Sequence, residues 1–216
     1  MASNLIIDDL VADLTPVRPI RQNDLLLVAA AIAVLTSIAV VTQFGMRHDL
    51  AAGNPHPIVI IRSGLLLLLG LATIFSVSAA ARPAVGNHYN GWKWMLAAVA
   101  LMPIAALCRF AAGMSAGHSL DMYTVGFHTG PACLMISGAS AIVIGGAMTA
   151  WLRRGAPTAL NHAGWLVGIA AGSFGAFSYN LHCPSDSLYY IGLWYSLAVG
   201  MCAAIGRLIV PRLIAW

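Results

Sequence analysis

Charge is what this chain has least of. Of its 216 residues 8% are charged, where an ordinary soluble domain carries roughly a quarter, and this scarcity excludes a water-solvated surface. The formal charge of +4 comes with no basic face interleaved with aromatics, so direct nucleic-acid binding is not expected. Cys108, Cys133, Cys183 and Cys202 form no C-x-x-C pair and no H-x-x-x-C-x-x-C zinc spacing, which excludes the commonest sequence-local metal and redox motifs. A paired-carboxylate constellation, G-x-S-x-G, a P-loop and an intramembrane acidic relay are also missing. The sequence therefore offers no recognisable enzyme or proton-coupled transporter. No small-residue cleavage site follows a basic n-region, and no removable signal peptide is expected.

What is present is apolar. Hydrophobic residues make up 60% of the chain, and a bilayer span takes about 20 of them as a helix, because every backbone N–H and C=O must be satisfied inside hydrocarbon. Such runs cover residues 25–44, 58–81, 92–112, 131–151, 162–180 and 189–209. The expected fold is all-α: a polytopic membrane domain of six transmembrane helices over residues 25–216, preceded by a short cytoplasmic segment, 1–24. With the N-terminus inside, eight cations (Arg18, Arg21, Arg82, Lys93, Arg153, Arg154, Arg207, Arg212) fall on the inner side, leaving Arg47, Arg62 and Arg109. The positive-inside rule predicts this asymmetry and returns the C-terminus to the cytoplasm. Trp92, Trp94, Trp151 and Trp165 then read as an inner aromatic belt, and Tyr123, Tyr189, Tyr190 and Trp194 as an outer one. Arg62 reads as an anchor snorkelling to the outer headgroups. Gly164, Gly168 and Gly172, four residues apart, predict a face of close helix approach. Pro103 predicts a kink, and Pro131 suits a first helical turn.

On this topology Cys133 opens the fourth span and Cys183 follows the fifth, so both lie at the periplasmic boundary. Their matched depth would allow a disulfide or thiolate coordination of a soft metal ion. His118, Asp121, His128 and His182 lie on the same side, and His128 and His182 are the metal-ligand candidates to add to the two cysteines. Cys202, deep in the sixth span, reads as a small hydrophobe.

Residues 1–24 form the only sizeable polar stretch. Within it Ile7, Leu10, Val11 and Leu14 fall on one helix face, with Asp8, Asp9 and Asp13 pointing elsewhere. A helix starting after Ser3 or Asn4 ends before Pro16, about three turns long and too short to be stable alone in water. A helix-in-groove contact needs little more than this.

Leu152-Arg-Arg-Gly-Ala-Pro-Thr158, Gly172 through Gly175, Leu181-His-Cys-Pro-Ser-Asp-Ser187 and Leu193-Trp-Tyr195 together resemble the NrsF-type negative regulators of extracytoplasmic-function (ECF) sigma factors. The resemblance extends to Asp8-Asp-Leu-Val-Ala-Asp-Leu-Thr-Pro-Val-Arg18, to Cys133-Leu134 and to Arg212-Leu213. It implies a non-enzymatic anti-sigma factor in the bacterial inner membrane, surrounded by lipid and holding an ECF sigma factor inactive until a redox or metal stress arrives. The family's two characteristic cysteines map onto Cys133 and Cys183. No cofactor is required on this reading beyond a possible regulatory metal ion. The rival expectation is a membrane thiol oxidoreductase or redox carrier.

Overall fold

A computed structural model describes residues 22–81, 91–115, 126–155, 157 and 159–215. The amphipathic segment with Ile7, Asp8, Asp9, Leu10, Val11, Asp13 and Leu14 lies outside the described residues, as do His118 and Asp121. The regular structure among them is helical: α1 Gln22–Phe44, α2 His48–Ala51, α3 Pro57–Ala80, α4 Gly91–Ser115, α5 Gly130–Leu152, α6 Leu160–Asn180 and α7 Leu188–Ile214. Each apolar run of the sequence thus lies within a helix, and α2 is an addition in the connection between α1 and α3. Four helices (Asn23–Phe44, Pro57–Ala80, Gly130–Leu152 and Leu188–Ile214) are long and apolar enough to cross a membrane.

The helices begin where local chemistry directs. Pro57 and Pro131 occupy first turns, where a missing N–H costs nothing, and His56 Nδ1 accepts from the Ile58 N–H at 3.4 Å. Hydroxyls inside the bundle bond back to their own helix: Thr149 to the Gly145 carbonyl at 2.7 Å and Ser178 to that of Phe174 at 3.0 Å.

α6 is the axis of the bundle, buried nearly all round and packed against α7, α5, α3 and α1. Its lower hydropathy follows from that position, because its neighbours are helices and small residues serve it better than large ones. The glycine face read from the sequence meets α7: a Cβ at Gly168 would lie 2.3 Å from the Cys202 carbonyl oxygen, and one at Gly206 2.6 Å from that of Gly164. Gly175 gives α5 the same access, a Cβ there falling 2.3 Å from the Ser137 carbonyl oxygen. Outward faces carry large exposed apolar side chains such as Leu27, Leu35, Ile61, Leu68, Met135 and Ile142, the arrangement a lipid surround stabilises.

Two apolar clusters fill the interior. One joins Leu25, Ile74, Ile144, Met148, Leu152 and Leu166, towards the end where Arg153 Nε donates to the Leu213 carbonyl at 2.7 Å and Arg207 donates to Asn161. The other gathers Cys133, Cys183, Tyr179, Tyr190, Trp194 and Tyr195, beneath the connections 45–56, 126–129 and 181–187.

Candidate functional site

The connection Leu181–Ser187 between α6 and α7 is not helical, so its carbonyls need partners from elsewhere. Arg47 supplies two of them. Its backbone N–H donates to the Leu181 carbonyl at 3.0 Å, its Nη1 to the Cys183 carbonyl at 2.7 Å, and its Nη2 to both carboxylate oxygens of Asp186 at 2.7 and 2.8 Å. The remaining Nε donates to Asp49 Oδ1 at 2.6 Å. Arg47 is only 8% exposed, a burial this cation tolerates because its side chain is fully engaged. Burial works against its charge, yet the hydrogen bonds and charges of Asp186 and Asp49 outweigh that and push its pKa up. For Asp49 desolvation likewise opposes the charge, but the His56 N–H, Arg47 and the Leu50 N–H outweigh it and hold the carboxyl at about 2, below the usual 3.8.

Arg62, from the second turn of α3, is 2% exposed. Its Nη1 donates to the Ser185 carbonyl at 3.0 Å and its guanidinium carbon lies 4.9 Å from the centre of the Tyr195 ring, within cation–π range. Nε and Nη2 make no hydrogen bond among the described residues. The expected snorkelling is thus not what Arg62 does: the connection 181–187 folds over it and turns it inward. The ion pairs at this end among the described residues belong to Arg47.

Beneath this cover lie the thiols. Cys133, on the first turn of α5, is 0% exposed and Cys183 is 1% exposed; neither is in a disulfide. They share one cluster and lie within electrostatic range of each other, with Arg62 also in range of Cys133. Aromatic rings pack around them. Tyr190 occupies the space a Cβ at Gly126 would need, at 2.3 Å, and Trp194 that of Gly130, at 2.0 Å. Gly126 also has φ +72°, a left-handed conformation that favours glycine. α7 contains a π-helical turn, Ile191–Tyr195. Its i→i+5 bonding brings Tyr190 and Tyr195 onto one face, with ring centres 6.3 Å apart. Tyr190 and Trp194 are therefore core side chains and not belt anchors, because the two glycines leave slots that fit their rings.

The histidines are placed elsewhere. His128 is exposed on the 126–129 turn. His182 packs its ring against Phe44 and Tyr179, with Nδ1 3.0 Å from the Gly45 carbonyl oxygen. No group of three or more His, Cys, Asp or Glu side chains among the described residues is arranged to hold a metal ion, so Cys133, Cys183, His128 and His182 do not form a four-ligand site in this conformation. Cys108 is exposed on α4 and Cys202 is half-buried against Gly172.

The sequence reading gave Arg47 and Asp49 no role and had Asp186 only as part of the Leu181–Ser187 motif. Arg47 was legible only as an outer-side charge, and its partner Asp186 lies 139 positions away.

Apolar outer faces, a tightly packed helical interior and four helices long and apolar enough to cross a bilayer define a helical bundle of the membrane-protein class, with two free, buried cysteines in one cluster at one end. The chain belongs to the NrsF family, described as negative regulator of sigma F, whose pattern matches residues 10–216. It is 28% identical over 221 aligned positions to the anti-sigma-F factor NrsF of Caulobacter vibrioides, covering 100% of both chains. It is 27% identical over 173 positions to a probable anti-sigma-F factor NrsF of Azospira oryzae, covering 79% of this chain and 78% of that one. No solved structure matches it significantly.

Proposed function

We propose that the protein is an inner-membrane anti-sigma factor that sequesters an ECF sigma factor at its cytoplasmic N-terminal segment and releases it when Cys133 and Cys183 react at the periplasmic face. Family membership and the names of its relatives support the regulatory role. The observation that carries the sensing role is that two cysteines far apart in sequence lie free and buried in one cluster. All six long helices cross the bilayer on this reading. α6, with 21 residues, is about 31 Å long, enough to span, and its polar and small residues face protein rather than lipid. Both termini are then cytoplasmic, as the cation asymmetry requires.

Ile7, Leu10, Val11 and Leu14 supply the apolar face for the sigma factor, and Asp8, Asp9 and Asp13 pair with its basic surface. Binding occludes the partner without catalysis. At the sensor, an oxidant takes two electrons from the thiols, which lose two protons as the disulfide forms. Alternatively a thiophilic metal ion displaces the two protons and bridges the thiolates. Recruiting His128 or His182 to that ion would require each to leave the position described above. Driving a two-state switch from 1:99 to 99:1 takes about 5.5 kcal/mol, and thiolate–metal binding is of the required order, since structural zinc sites reach about 10–16 kcal/mol.

The test is to purify the tagged full-length chain from membranes and identify its cytoplasmic partners. A sigma factor is expected, and Leu10→Asp should reduce its recovery at least tenfold, since burying a leucine contributes about 1.5–3 kcal/mol. Recovery of no sigma factor overturns the function. Unchanged recovery with Leu10→Asp overturns the contact face.

A further inference from the structure

We infer that Arg47 is a positioning residue: with Asp186 it forms a latch that fixes the segment carrying Cys183 to the turn after α1, and opening this latch carries a change at the thiols to α1 and the N-terminal segment. The inference rests on the anti-sigma reading and adds the route between its two ends. Its basis is where the polar bonds of the Cys183 segment go. The carbonyls of Leu181, Cys183 and Ser185 accept from the Arg47 N–H, Arg47 Nη1 and Arg62 Nη1 respectively. These are alternate residues, so a single edge of the segment is docked onto two arginines of the α1–α3 hairpin. The Asp186 carboxylate closes the same clamp on Arg47 Nη2, and His182 reaches back to the Gly45 carbonyl.

Cys183 is therefore held by its side chain in the thiol cluster, by its N–H on the Tyr179 carbonyl at 3.0 Å, and by its carbonyl on Arg47, the bond that ties it to the hairpin. A bond from its sulfur towards Cys133 on α5, direct or through a metal ion, draws the residue away from the hairpin and loads the Arg47–carbonyl bond first. Arg47 follows Phe44, the last residue of α1, by a short turn in which Gly45 has φ +86°, a ready pivot. Polar links from α1 to α6 include hydroxyl contacts of Ser37 and Thr36 with Ser178 Oγ, at 3.0 and 3.3 Å. Once Arg47 is free, α1 can slide on α6 as packed helices do in shear motions, and residues 1–21 precede α1 in the sequence.

The test uses the full-length chain in membranes, with two readouts: sigma factor co-purified without signal, and the rate at which a maleimide probe labels Cys183, read by peptide mass spectrometry. Arg47→Met is expected to raise labelling and lower co-purification by about tenfold each, and Asp186→Asn by about threefold, as the loss of charge-assisted bonds dictates. Arg47→Met should still release when Cys133→Ser is added, because the latch acts after the thiols. Normal labelling in both variants, or faster labelling with sigma factor retained within about twofold, overturns the inference. If Arg47→Met fails to accumulate, Asp186→Asn decides by the same criteria, since it leaves Arg47 its bonds to Asp49 and Cys183. If the unaltered chain captures no sigma factor, the function reading fails. The latch is then judged by labelling and by whether Arg47→Met changes proteolysis at Arg18 and Arg21, unchanged proteolysis overturning it.

Discussion

Along the inner part of their shared seam α6 and α7 meet through glycines, close enough that a single Cβ would collide with backbone. At the thiol end the same two helices are spaced by Tyr179, Tyr190 and Tyr195, with Arg62 buried beside them and an irregular connection overhead. The polar atoms differ as well. At the thiol end Arg62 Nε and Nη2 and Asn180 Oδ1 lack a hydrogen-bond partner among the described residues, and each such atom costs about 1–3 kcal/mol. One region is built to hold a single arrangement. The other keeps unfavourable features that a second arrangement can relieve, as strained functional sites do.

The contrast breaks most severely at the seam. Gly168→Ala should lower the melting temperature in detergent sharply or prevent accumulation, since overpacking costs about 1–3 kcal/mol or more and the obstructing atom is backbone. Gly146→Ala, with nothing within 4 Å of the added carbon, should change stability by less than about 0.5 kcal/mol. Equal melting of the two variants would mean that the seam is not the rigid part.

A smaller effect on stability and a larger one on response are expected at the thiol end. Cys133→Ser and Cys183→Ser should each leave the sigma factor bound but uninducible, the double variant being no worse than either single one. Arg62→Met should be neutral or stabilising, because a buried charge with two idle N–H groups is removed, while oxidation of the thiols slows as the nearby positive charge is lost. Destabilisation by more than about 3 kcal/mol would show that Arg62 is fully compensated. If both serine variants respond normally to oxidant and to thiophilic metals, the pair is structural.

The smallest effect is that of pH. The contribution of Asp49 to the latch is complete above its usual pKa of 3.8 and is lost as pH falls through about 2. Arg47, with its pKa raised, contributes at all lower pH and loses its part only in strong alkali. Asp49 and Arg47 should therefore contribute no change in thermal stability or Cys183 accessibility between about pH 8 and about pH 5. A fall within that window would place another titrating group in the latch.

The helices were legible because hydropathy is a local property, and every apolar run falls on one. The glycine face was legible for a similar reason, since Gly164, Gly168 and Gly172 repeat at the helical period. Cys133 and Cys183 lie in one cluster, beside the start of α5 and the end of α6, where their positions in the sequence set them. Arg47 and Arg62 were not legible as buried groups. Their environment is created by carbonyls at 183 and 185, more than a hundred positions on, and no local pattern marks an arginine as the partner of a distant connection. Tyr190 and Trp194 were assigned to an interface by their type, whereas the slots they fill are set by Gly126 and Gly130.

The π-helical turn within α7 has a consequence for how such a protein can diversify. A π turn uses a wider backbone circle than an α turn, so it resets the angular phase between the residues before it and those after it. Tyr190, Trp194 and Tyr195 can point at the thiols while Val199, Ala203 and Gly206 keep their own heading towards α6. Without that reset, one helical phase would have to serve both purposes, and any change favouring the pocket would rotate the seam. With it, the packing around Tyr190–Tyr195 can change by substitution while the shaft below stays in register.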